Sequence, residues 1–150
     1  WNRLYGPRGL YQHQSVIPDD VARNVVPAMI EAAREAGQGS FLTVLKRFGS
    51  IRSPGILSFP RPGHTLTLDF PNRGRATLAL MRRLDEMATE AGGALNPYKD
   101  ARMGADVFAA SFPLWRQFES LRDPAFRSDF WGRTAGELLR SDAGAAVAAE

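Results

Sequence analysis

Between His64 and Phe70 the chain alternates without a break, with Leu66, Leu68 and Phe70 on one side and Thr65, Thr67 and Asp69 on the other. Successive side chains of a strand point to opposite faces, so this segment predicts a half-buried strand. It constrains the fold more than any other stretch. Its apolar face needs a cover, and its polar face must meet water, another domain or a ligand. Gly9 to Ile17 reads the same way, with Tyr11, His13, Ser15 and Ile17 opposed to Gln12, Gln14 and Val16. Phe41 to Phe48 predicts a further strand, on which Lys46 shares a face with Leu42 and Val44. Ile56 to Phe59 reads as a short extended piece, and Ala94 to Asn96 as a short final strand.

Two stretches change to the helical period. Pro18-Asp19-Asp20 offers a helix start with acids at the amino end, and Val21, Val25, Met29, Ile30 and Ala33 follow at helical spacing. Pro27 interrupts that pattern and predicts a kink or a short first turn. Thr77, Leu80, Met81, Leu84, Met87 and Ala91 form a second stripe, opposed by Arg82, Arg83, Glu86 and Glu90 and closed by Gly92-Gly93. The order strand, helix, strand, strand, helix, strand predicts an α+β fold of ferredoxin-like type, an antiparallel sheet with its helices on one face. C-terminal helical segments follow at Asp106 to Ser111 and Pro113 to Leu121. Thr134 and Glu137 then stand at capping-box spacing before Leu138 and Leu139. Residues 1–140 read as one domain, and Ser141 to Glu150 as a frayed, Ala-rich tail.

Composition narrows the chemistry. Cysteine is absent, which excludes disulfides and thiolate catalysis, and the two histidines, His13 and His64, have no metal-ligand spacing. The formal charge of +3 comes from scattered basic residues without a run or an aromatic-interleaved motif, so no nucleic-acid partner is expected. There is no apolar run of membrane-spanning length and no signal peptide. Of the 19 basic residues only Lys46 and Lys99 are lysines. Arginine replaces lysine readily on a solvated surface but not where a compact point charge must fit, which singles out these two. The chain opens on Trp1 rather than Met, which reads as a piece of a longer protein.

If the polar faces of the first and third strands coincide, Gln12, Gln14, Thr67 and Asp69 converge on one surface. Amides, a hydroxyl and a carboxylate together suit a polyhydroxylated ligand, whose hydroxyls need partners once removed from water. A merely solvated sheet face is the plainer alternative.

Five short segments occur in order: Tyr11-Gln12-His13-Gln14, Phe41 to Gly49, Leu57 to Gly63, Asp69-Phe70-Pro71 and Lys99-Asp100-Ala101-Arg102. With Phe126-Arg127-Ser128-Asp129 near the end, they resemble the carboxy-terminal part of the decaprenylphosphoryl-β-D-ribose 2-oxidase family. That family is close to the aldonolactone oxidases and of the vanillyl-alcohol-oxidase type. The resemblance implies an FAD-dependent oxidoreductase that oxidises a sugar hydroxyl to a ketone, with hydride passing to the flavin. It implies that FAD is held mainly by an amino-terminal flavin-binding domain of the same protein, absent from this chain. It also implies that this domain covers the flavin ring and lines the substrate pocket.

By the same resemblance Lys99 reaches flavin and substrate as the catalytic and cofactor-binding residue, and Gln12, Gln14 and Lys46 are pocket residues. A fixed ammonium stabilises the negative charge that hydride arrival leaves on the flavin's pyrimidine edge. Its plainer alternative is a surface ion pair with Asp100, and that of Lys46 is snorkelling past the sheet edge. Thr67 stands where the best-known members carry cysteine, and Asn96 where the family has tyrosine. Both changes reshape a pocket for the sugar or polyprenyl-phosphate sugar. Such a substrate implies association of the intact enzyme with a bacterial membrane surface, on its cytoplasmic or periplasmic side.

A free-standing ferredoxin-like module that binds a small ligand, or pairs through its open sheet face, is the alternative without chemistry. The isolated chain is expected to be colourless and inactive. It is also expected to expose an apolar patch that favours a homodimer or aggregation.

Overall fold

The computed structural model describes residues 2–99 and 102–147. A short helix, α1 (Asn2–Tyr5), leads into β1 (Leu10–Ile17), α2 (Asp19–Glu35), β2 (Thr43–Phe48), β3 (Gly63–Pro71), α3 (Arg75–Glu90) and β4 (Ala94–Leu95). A single 3-10 turn, Pro97–Lys99, follows, and then α4 (Ala105–Ser111), α5 (Trp115–Leu121), α6 (Asp129–Arg133) and α7 (Ala135–Val147). The four strands form one sheet in the order β2-β3-β1-β4, every neighbouring pair antiparallel. This is the ferredoxin-like α+β arrangement that the alternation predicts.

The register decides the faces. Tyr11, His13, Ser15 and Ile17 stand opposite Phe70, Leu68, Leu66 and His64. Leu66, Leu68 and Phe70 are almost wholly buried against Val26, Met29 and Ala33 of α2 and Leu80, Met81, Leu84 and Ala88 of α3. Burial of each such side chain contributes roughly 1.5–3 kcal/mol, and this one-sided core holds the two helices to the sheet. Beyond the β4 edge a second lobe of the same core gathers around Phe108, whose ring lies 5.4 Å from Phe112, 5.7 Å from Phe130 and 5.6 Å from Trp131.

Three local expectations differ from the structure. Pro27 lies inside α2, and no short first turn is split off ahead of it. It is exposed, as is Arg23 one turn before, so water satisfies the carbonyl its missing N–H leaves free. Ile56 to Phe59 is not extended: it is a turn closed by the Ser58 N–H on Gly55 O at 3.3 Å. Thr134 does not form a capping box, because its hydroxyl donates to Phe130 O at 2.8 Å and closes α6 instead of opening α7. α7 runs on through Ser141 to Val147 as helix.

The alternation also leaves one face clear of the two long helices α2 and α3. Val16, Thr65, Thr67, Asp69, Gln12 and Gln14 point there, with Val44, Lys46 and Phe48 of β2 beside them. The loop after β2 lays Phe59 over one end of that face, on Val16 and Ala94, with its ring 6.0 Å edge-on from Phe48. At the other end Tyr5 of α1 lies on Asp69, which is 2% exposed, and between the two ends Gln12, Gln14 and Thr67 stay half-buried and polar. Among the described residues no helix is long and apolar enough to cross a membrane.

Candidate functional site

The polar face is built around two hydrogen-bonded pairs, one amide–carboxylate and one amide–amide. Gln12 and Asp69 are direct cross-strand partners, and Gln12 Nε2 donates to Asp69 Oδ1 at 2.6 Å. The second carboxylate oxygen accepts from Tyr5 Oη at 3.3 Å, and burial followed by the Asp69 charge raises the Tyr5 pKa above its ordinary value. Gln14 Nε2 donates to the Thr65 hydroxyl at 3.0 Å, while Gln14 Oε1 accepts from Asn96 Nδ2 at 2.7 Å. Asn96 N–H in turn donates to Gln14 O at 2.8 Å, and Asn96 Oδ1 accepts the Tyr98 N–H at 3.1 Å. One amide side chain thus ties β3, β1 and the segment after β4 together.

Four of the sequence-predicted residues therefore make a hydrogen-bonded floor: Gln12, Gln14, Asp69 and Asn96. The other three frame it. Thr67 lies between the two amides, half-buried, directly opposite Gln14. Lys46 projects from β2 at the register position of Thr65. Lys99 ends the 3-10 turn beyond β4, on the far side of the floor. Both lysines are exposed, and among the described residues neither ammonium has a hydrogen bond or ion pair. Lys46 thus does not use its charge on a surface ion pair, and Asp100, the suggested partner of Lys99, lies outside the described residues. The chain's only two lysines lie at opposite edges of the sheet, Lys46 on β2 and Lys99 on the turn after β4.

A crevice of about 10 Å³, roughly the space of one water, opens at the β1 edge between Gln12, Gln14, Asn96 and Lys99. It exists because β4 pairs with β1 only at Ser15 and Val16, leaving the rest of that edge to the turn that carries Lys99. A shallower hollow of about 340 Å³ adjoins it between Gln14, Phe48, Phe59, Asn96 and Tyr98. The back of the crevice holds a buried charged group. Asp85 of α3 is 4% exposed, lies 3.1 Å from His13 Nε2, and accepts a bidentate pair from Arg102, with Nη2 at 2.9 Å from Oδ1. Burial pushes the Asp85 pKa up, but the hydrogen bonds from His13 and Arg102 outweigh it and leave it below the usual carboxylate value.

His13, Asp85, Arg102, Tyr5 and Thr65 were not singled out as site residues from sequence. Asp85 had a signal: it sits between Leu84 and Ala88 on the apolar side of a helix, where an acid needs a buried cation. No run of residues announces the partner, because His13 comes from a strand 72 positions away (85 − 13). Among the described residues no cluster of three or more His, Asp or Glu could hold a metal ion.

No family model matches the chain. The chain is 35% identical over 134 residues to a protein of Mycolicibacterium smegmatis named decaprenylphosphoryl-β-D-ribose oxidase, which covers 86% of this chain and 28% of that protein. It is 37% identical over 116 residues to an uncharacterized protein of Streptomyces coelicolor, covering 74% of this chain and 30% of the relative. The chain therefore spans less than a third of the curated relatives it matches. Over most of its length it is similar in sequence to a segment of a decaprenylphosphoryl-β-D-ribose oxidase, as its ordered motifs imply.

Proposed function

We propose that the chain is the substrate-side domain of an FAD-dependent oxidoreductase that oxidises a sugar or sugar-lipid hydroxyl to a ketone. The observation that carries this is the placement of the only two lysines, both without partners among the described residues, at opposite edges of the sheet whose polar face carries Gln12, Gln14, Thr67 and Asp69. The similarity to a protein named as an oxidase supports it.

No part of a dinucleotide fits inside the crevice, so a flavin ring would lie against the face from outside it. Lys99 presents an unpaired ammonium at the mouth of a crevice, whereas the crevice itself has room for about one water. FAD, which would be held by another part of the protein, would supply the hydride acceptor. Lys99 would place positive charge beside that acceptor, where negative charge would develop. Gln14 and Asn96, fixed by each other, hold their remaining amide hydrogens toward the face for sugar oxygens. Thr67 adds a hydroxyl without a partner among the described residues, and Lys46 closes the far border with a second cation. Phe48 and Phe59 form an apolar shoulder beside Gln14 and exclude water from that side. The test is anaerobic stopped-flow reduction of the full-length flavoprotein. Lys99→Ala is expected to slow flavin reduction on the order of 10²- to 10³-fold, with the melting temperature nearly unchanged. Unchanged reduction removes Lys99 from the chemistry and the proposal with it.

A second reading, a binding or pairing module without chemistry, is favoured by one observation: Gln12, Asp69, Gln14 and Asn96 already satisfy one another. A full-length protein that neither carries flavin nor oxidises sugars, yet binds a polyol through this face, decides for it.

A further inference from the structure

Lys99 is exposed and makes no contact of its own that fixes it, so its position must be set from either side along the chain. On the amino-terminal side the anchor is plain. The Asn96 N–H donates to Gln14 O, and the Lys99 N–H closes the turn on Asn96 O at 3.2 Å. On the carboxy-terminal side Met103, 2% exposed, is held through its carbonyl, which accepts from Arg133 Nε at 3.2 Å. Between these lies Arg102, whose guanidinium reaches back under the sheet edge to Asp85.

We propose that Asp85 is a positioning residue for Lys99, acting through Arg102. This rests on the role given to Lys99 above. The fork of Arg102 meets both carboxylate oxygens, a geometry that fixes orientation as well as distance. The carboxylate cannot yield, since it is buried on the inner side of α3 and held at 3.1 Å from His13 on the central strand β1. The side chain of Arg102 is 21% exposed and that of Asp85 5%, so the pair spans from the crevice wall into the core. A buried ion pair is an inefficient way to stabilise a fold, because desolvating both charges offsets most of their attraction. What it does well is specify one arrangement. Here the arrangement specified is that of the turn bearing Lys99, at the crevice that Asp85, Arg102 and Lys99 all line.

The chain has only two lysines, so a lysine-specific endoprotease reads the turn directly, with cleavage after Lys46 as internal reference. Under native conditions Asp85→Asn and Arg102→Gln are expected to speed cleavage after Lys99 by about tenfold or more, and cleavage after Lys46 by less than about twofold. If Asp85→Asn does not fold, Arg102→Gln alone, which removes the fork without adding a lysine, gives the same result. Unchanged cleavage after Lys99, or equal acceleration at both lysines, overturns the proposal, since the pair is then idle or merely a strut of the whole fold.

In the full-length flavoprotein, Asp85→Asn is expected to slow flavin reduction. In the Lys99→Ala background it should cost less than about a further twofold, because it acts through the missing ammonium. Full additivity of the two effects also overturns it. If Lys99→Ala leaves reduction untouched while Asp85→Asn still frees the bond after Lys99, the proposed function falls and the positioning role stands.

Discussion

Gly93 joins the end of α3 to β4, and the site depends on how tightly it does so. A Cβ there would lie 2.4 Å from Val16 O, 2.7 Å from Ala88 O and 3.2 Å from Ile17 Cδ1. Two of the three are backbone oxygens, held by the sheet and by the Gly93 N–H bond to Ala88 O at 2.8 Å. No rotamer change relieves them. Gly93→Ala must push β4 from β1 by most of an ångström, which loosens a ladder that spans only Ser15 and Val16. Overpacking costs about 1–3 kcal/mol and each weakened backbone bond about 1 kcal/mol, so a loss of about 2–4 kcal/mol is expected. Urea unfolding followed by tryptophan fluorescence and far-ultraviolet circular dichroism measures it. The midpoint should fall with the slope unchanged. Gly144→Ala is the matched control: it sits in α7 with nothing within 4 Å, and is expected to stabilise by up to about 1 kcal/mol. A Gly93→Ala protein within about 0.5 kcal/mol of the wild type refutes the reasoning, because β4 then has slack that the contacts deny.

Asp85 links stability to acid. Its folded pKa lies below the ordinary value of about 3.9, so the unfolded chain binds its proton first. The stability it contributes is complete above that ordinary value and is lost as pH falls through the lower, folded one. Urea unfolding of wild type and Asp85→Asn from pH 7 to 3 should show a constant difference above about pH 5 that shrinks below about pH 4. A difference that grows on acidification contradicts the assignment. Phe59→Ala uncovers Val16 and Ala94 at the capped end of the open face. It is expected to cost about 2–3 kcal/mol, below the usual 3–5 because a loop can partly collapse, and to raise binding of an apolar dye; an unchanged melting temperature and dye signal would show that the loop is not held by that ring.

Much of this molecule was legible in one dimension. The period of two over His64 to Phe70 and Gly9 to Ile17, and the period near 3.6 over Arg75 to Glu90, follow from backbone geometry alone, so the elements and their order could be read directly. Strand alternation also placed Gln12 and Gln14 on one side of β1 and Thr67 and Asp69 on one side of β3, before their pairing was known. Pro27, Ile56 to Phe59 and Thr134 misled for a shared reason: local propensity states what a residue favours, and packing or solvent at that place can override it.

Only the tertiary structure brought the two polar faces onto the same surface, by pairing Gln12 with Asp69 and Gln14 with Thr67 rather than one residue out of step. It alone joined His13, Asp85 and Arg102, from a strand, a helix and a loop, into one buried group at the crevice that Lys99 also lines. Periodicity tells each residue which side of its own element it occupies. Which charges meet across elements depends on register and crossing of separate segments, and those are set by the core that the whole chain forms together.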